Sequence, residues 1–137
     1  MSGFTLGKDI LSYVAVGDSL TEGLDDPSPD SARFPQGRYR GWADRFAEHL
    51  ARHVREVRYA NLAVRGKLLR QILTEQLPRA VELRPDLVTL CAGGNDILRP
   101  GSDPDTLADA FEGAVRQLRD TGADVVIFTG FDTGFQP

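Results

Sequence analysis

Apolar residues in this chain fall into four short, dense runs, and the stretches between them repeat apolar positions every three or four residues. Tyr13-Val14-Ala15-Val16 is the first run; it ends at Gly17 and predicts a strand. Residues 24–40, rich in Pro, Asp and Arg and without periodicity, predict a long loop, a kind often tied to function. From Gly41 to Val54 the pattern becomes helical. Trp42, Ala43, Phe46, Ala47, Leu50 and Val54 share one side, and Asp44, Glu48, Arg52 and Arg55 the other. Val57–Ala60 predicts a second strand, and about Lys67–Leu77 a helix with Leu69, Ile72, Leu73 and Leu77 inward, broken or kinked at Pro78. Leu87–Ala92 is almost continuously apolar, as befits a strand covered on both faces. Asp103 and Pro104 predict the cap and first residue of another helix, with a stripe of Leu107, Ala110, Phe111, Ala114, Val115 and Leu118 and a stop at Gly122. Val125–Phe128 is the fourth strand.

Strands that alternate with helices imply a parallel sheet wrapped by right-handed crossovers, here one α/β domain spanning residues 1–137. The length suffices for a sizeable core. Charge changes the picture little. The net charge is -4 with acids and bases interspersed, which offers nothing for nucleic acid or an anionic membrane to grip. No stretch approaches the roughly 20 apolar residues of a membrane span, and the N-terminus lacks the pattern of a signal peptide, so the expected location is cytoplasmic. The single cysteine, Cys91, lies in an apolar run and is expected to be a buried core thiol.

Ligands of open parallel sheets bind beyond the carboxyl ends of the strands. Past the first strand stands Gly17-Asp18-Ser19-Leu20-Thr21-Glu22-Gly23, past the second Asn61-Leu62-Ala63-Val64-Arg65-Gly66, and past the third Gly93-Gly94-Asn95-Asp96. These residue types suit acyl transfer. A serine on a tight turn can meet a carbonyl carbon, and backbone N–H groups with a side-chain amide can receive the oxyanion. Ser19 is the candidate nucleophile; the N–H groups of Ser19 and Gly66 and the amide of Asn95 are the candidate donors. Taken singly, each motif also fits an ordinary capping or Asx turn. Their joint placement on one rim favours the hydrolase reading.

Gly17-Asp18-Ser19-Leu20 resembles the first block of the GDSL/SGNH hydrolases, Asn61 through Gly66 the second, and Gly93-Gly94-Asn95-Asp96 the third. The resemblance runs from about Tyr13 to the end of the chain. It implies a flavodoxin-like three-layer α/β/α sandwich and an ester hydrolase in which Ser19, Gly66 and Asn95 take the family's serine, glycine and asparagine roles. Asp18 and Asp96 would support them by hydrogen bonding. A small-molecule ester is the implied substrate, with no metal and no organic cofactor. Trp42, Arg38, Tyr39 and Arg65 are candidates for lining the approach, although packing or surface roles fit each equally.

The family's fourth block, Asp-x-x-His, has no counterpart here. The only histidines, His49 and His53, fall late in a helix that must descend about 16 Å from Trp42 toward the start of the second strand, far from Ser19. His53, at the edge of the apolar stripe, is expected to be partly buried. As an i,i+4 pair the two lack both the glutamate of a His-Glu-x-x-His motif and a third ligand. The expectation is therefore a domain truncated after the fourth strand and nearly inactive alone. It would be completed by a C-terminal segment or by self-association through the bare sheet edge. A non-catalytic binding module retaining the same shell is the alternative. A flavin or receiver domain fits poorly, because two acids in the first loop oppose phosphate and the third strand lacks an acceptor aspartate at its end.

Overall fold

The computed structural model describes residues 9–22, 41–97 and 99–128. The long loop at 24–40, with Arg38 and Tyr39, and the segment 131–137 lie outside the described residues. The elements in chain order are β1 (Ile10–Gly17), α1 (Ser19–Glu22), α2 (Trp42–Leu50), β2 (Glu56–Asn61), α3 (Leu69–Glu75), α4 (Leu77–Leu83), β3 (Leu87–Cys91), α5 (Gly94–Ile97), α6 (Pro104–Asp120) and β4 (Asp124–Ile127). All strand pairs are parallel, in the order β2-β1-β3-β4. This is the expected α/β fold.

Alternation along β1 divides the core. Leu11, Tyr13 and Ala15 face α2 with Ala43, Ala47, Leu50 and Leu87; Val14 and Val16 face the opposite layer with Ile72, Leu77, Ala80, Val88, Leu90, Ala114 and Leu118. Burying each of the larger side chains contributes about 1.5–3 kcal/mol. The expected stop and cap of α6 are both present: Asp103 accepts the Asp105 N–H at 3.1 Å and the Thr106 hydroxyl at 2.7 Å, and Gly122 takes a positive φ of 92°. Those hydrogen bonds hold the Asp103 carboxyl below the usual carboxylate range.

Several expectations are corrected. The helix expected to reach Val54 ends at Leu50, and the chain turns through 51–55 into β2. Trp42, assigned inward, is exposed at the first residue of α2, where it lines an open cavity. Asp44, assigned outward, is buried, because the Tyr59 hydroxyl donates to its Oδ1 at 2.6 Å. His53 is exposed, since it lies past the end of the helix. The break expected at Pro78 falls at Gln76. Pro78 sits in the first turn of α4, where a missing N–H is harmless. Among the described residues no helix is long and apolar enough to cross a membrane.

Candidate active site

Strand order reverses between β1 and β3, the crevice where doubly wound sheets bind ligands. At the end of β1, Gly17 has no room for a side chain: a Cβ there would stand 2.5 Å from the Cys91 carbonyl oxygen and 2.6 Å from Thr21 Oγ1. Its N–H donates to Gln76 Oε1 at 3.0 Å, and its carbonyl accepts Gln76 Nε2 at 2.9 Å and the Val64 N–H at 3.3 Å. One residue on, the Asp18 carbonyl accepts the N–H groups of Thr21 and Glu22, at 3.1 and 2.9 Å. The chain thereby coils at once into α1, with half-buried Ser19 as its first residue.

Two further segments are drawn to this turn. Asn61 closes an Asx turn by accepting the Ala63 N–H at 3.0 Å, and its Nδ2 donates to the Thr21 carbonyl at 2.9 Å. The Glu22 carboxylate accepts the Arg65 N–H at 2.7 Å and pairs with its guanidinium at 3.0 Å. Gly66 follows at φ +74°, a conformation that favours glycine, and an added Cβ would meet nothing within 4 Å. From the end of β3, Asn95 Nδ2 donates to the Lys67 carbonyl at 3.1 Å, and Asp96 Oδ1 accepts the Leu69 N–H at 2.8 Å. The third segment is thus fastened to the second, and the second to the first.

Asp18 is buried, and that burial pushes its carboxyl up. The Leu20 N–H, donating to Oδ1 at 3.3 Å, works against the rise, whereas the charge of Asp96 adds to it. Burial also raises the Cys91 thiol, with the Thr21 hydroxyl opposing and Asp18 adding, so Cys91 is the core thiol expected. Two open cavities flank the rim. One of about 520 Å³ lies between α2 and strands β3 and β4, lined by Leu20, Trp42, Phe46, Cys91 and Val126 among others. The other, about 930 Å³, runs from Asp18 and Gly94 along Leu107 and Phe111 of α6.

Ser19, Gly66 and Asn95, with Asp18 and Asp96, therefore stand on three segments that the hydrogen bonds join into one rim. His49 and His53 do not belong to it. Both are exposed, their ring centroids 5.1 Å apart, on the last turn of α2 and the turn beyond, next to the amino-terminal start of β2. Among the described residues no group of three or more His, Cys, Asp or Glu side chains is placed to hold a metal. Sequence reasoning left Glu22, Asn61 and Gln76 without a role. Opposite charges in two loops of one rim could have suggested the Glu22–Arg65 pair. Asn61 bore the signal of an Asx turn, and nothing local marked Gln76.

The chain matches the model of the GDSL-like Lipase/Acylhydrolase family over residues 15–137. No curated protein shows significant similarity to it. Among solved structures, TesA superposes with a TM-score of 0.68 at 28% identity, covering 85% of this chain and 58% of TesA. A catalytic mutant of Axe2, an acetylxylan esterase from Geobacillus stearothermophilus, gives 0.70 at 17% identity, with 88% and 60% covered. AlinE4, an SGNH-hydrolase family esterase, gives 0.64 at 21% identity, with 85% and 57% covered. The chain thus spans about three fifths of the length of these structures.

Proposed function

This chain belongs to the GDSL-like lipase/acylhydrolase family, and on that premise we propose that it carries the nucleophile and oxyanion-binding half of a serine ester hydrolase. In this reading Ser19 Oγ attacks the ester carbonyl and the alkoxide leaves as the alcohol. Water then cleaves the Ser19 acyl-enzyme. The oxyanion is received by the N–H groups of Ser19 and Gly66 and by the Asn95 amide. One Asn95 N–H is held by the Lys67 carbonyl, which fixes the plane of the amide and leaves its second N–H for the oxyanion. Losing one such donor typically costs about 2.7–4 kcal/mol in the transition state. Asp18 and Asp96 act by holding backbone: Asp18 the Leu20 N–H beside the nucleophile, Asp96 the Leu69 N–H of the second segment.

The observation that carries this reading is the chain of hydrogen bonds from Thr21 and Glu22 through Asn61 and Arg65 to Asn95 and Asp96, on the rim where the strand order reverses. In this reading the base comes from another segment or another copy; the position of both histidines at the far end of α2 supports it. A complementing segment, or a second copy meeting the edge of β4, would supply it. Removing the histidine of a comparable triad lowers kcat by about 10⁶, so the chain alone should turn over near background.

The test is hydrolysis of a short-chain chromogenic ester by the wild-type chain and by Ser19→Ala, each with and without added imidazole. Both should run near background without imidazole; imidazole, which cleaves such esters by itself, should raise the wild type above both Ser19→Ala and a protein-free control. Brisk Ser19-dependent turnover without imidazole would overturn the incompleteness. Equal rates in both proteins throughout, with ester binding unchanged in Ser19→Ala, would replace the hydrolase by a binding module.

A further inference from the structure

We propose that Gln76 is a positioning residue for Ser19, standing in for the strand that β1 lacks at its last residue. The backbone groups of alternate β1 residues point toward β2: the Ala15 carbonyl accepts the Leu62 N–H at 2.9 Å, and the next residue aimed that way is Gly17. β2 has by then ended at Asn61, and only the Val64 N–H returns, at 3.3 Å. Without a further partner the Gly17 peptide would be left short of hydrogen bonds inside the core, a costly state. Gln76, only 4% exposed, meets both its groups at 3.0 and 2.9 Å. Its amide has the donor and acceptor of a peptide and occupies the place of one.

The break between α3 and α4 makes this reach possible. Gln76 caps the end of α3 with its N–H on the Ile72 carbonyl at 2.8 Å, and its own carbonyl accepts the Ala80 N–H at 2.9 Å. Its backbone is thereby fixed from both helices, and its side chain runs to the strand end from a rigid base. The Cys91 carbonyl oxygen leaves no room for a Cβ at Gly17. Two residues later comes Ser19. Gln76 therefore sets where the Gly17–Asp18 turn sits, and with it the serine; the role assigned to Ser19 rests on the hydrolase reading, the clamp itself does not.

Amide hydrogen exchange on the full 137-residue chain, compared at matched pH between wild type, Gln76→Met and Gln76→Glu, tests the clamp. Methionine keeps the bulk and loses both hydrogen bonds. Exchange should quicken at least tenfold at Gly17 and Thr21, while the amides of Val14 to Val16 keep the wild-type rate. Glutamate keeps the shape. Protonated, its O–H donates to the Gly17 carbonyl while its other oxygen accepts the N–H; ionised, it meets that carbonyl with a like partial charge. Burial and this clash raise its folded pKa, so Gln76→Glu should match wild type in acid and loosen at Thr21 as pH rises. Wild-type rates at Gly17 and Thr21 in both variants overturn the proposal, as does loosening spread evenly along β1. Should Gln76→Met fail to fold, the pH profile of Gln76→Glu decides alone. Fluorophosphonate labelling of wild type and Ser19→Ala, run in parallel with imidazole added in place of the missing base, separates the two readings. A wild type labelled no faster than Ser19→Ala under those conditions counts against the nucleophile, and the exchange data still judge Gln76.

Discussion

Among the described residues the α2 face of the sheet is closed over β2, β1 and β3 and open over β4. In the closed half Tyr13 stacks on Tyr59 with centroids 5.2 Å apart at 15°, and Phe46 meets it edge-on at 5.3 Å and 81°. Each phenol has a partner, Thr89 for Tyr13 at 2.7 Å and Asp44 for Tyr59 at 2.6 Å. Burial pushes the Tyr13 hydroxyl up to about 12, with the Asp44 charge adding and the Thr89 bond opposing. Burial and then the Asp44 bond raise Tyr59 as well. On β3 the same face carries the buried Thr89 and Cys91, and only beyond them, on β4, does it open: Val126 is 54% exposed beside the cavity of about 520 Å³. The nucleophile's segment rises from the closed half. Its ties to the second segment, and the second's to the third, lie within the described residues.

Tyr13→Ala should break the closed half most severely. It empties a fully buried site, removes two aromatic contacts and leaves the Thr89 hydroxyl without its partner. A loss of about 3–5 kcal/mol is expected, a large share of the stability of a domain this size. A denaturant midpoint within 1 kcal/mol of wild type, on the scale of an ordinary surface change, would show that the aromatic cluster is not the keystone.

Tyr59→Phe keeps the stack and removes only the hydroxyl, so it asks how much of the closure is polar. Asp44 is buried, and a hydrogen bond to a charged group contributes about 1.5–3 kcal/mol. The double-mutant cycle with Asp44→Ala, which removes the acceptor, should return most of that as coupling. Additive single effects would mean that water already satisfies the carboxylate.

The closed half also marks where sequence reasoning ended. Strand runs, the α6 stripe and the Asp103 cap were legible because each is a local pattern with one dominant cause. So was the rim: in a parallel sheet every segment after a strand must emerge on one side, which gathers Ser19, Gly66 and Asn95 without any knowledge of distances. Asp44 was misplaced because a charge on a helix defaults to the surface, and the phenol that buries it comes from a strand 15 residues away. Gln76 was silent for the same reason, since its partner is 59 residues distant. At Pro78 the sequence predicts a break or kink, because a proline that interrupts one helix and a proline that begins another look alike there. Polar groups whose partners lie far along the chain leave no periodic trace.

Val126→Thr probes the open half and should have the smallest effect. The two side chains are nearly isosteric and both suit a strand, so at an exposed edge position the change costs no more than about 0.5 kcal/mol. Lowering the apolar surface beside the cavity should also weaken any association of the chain through β4, read by sedimentation across a range of concentrations. A cost well above 1 kcal/mol that grows with protein concentration would mean that copies of the chain already cover this face, because the threonine hydroxyl would then be buried without a partner. A complementing segment that seats on this face should produce the same penalty only when it is added. The substitution would then be silent in the chain alone and costly in the complex. That contrast separates a face merely left open from one built to be covered, and the half around Tyr13 supplies the scale on which to judge it.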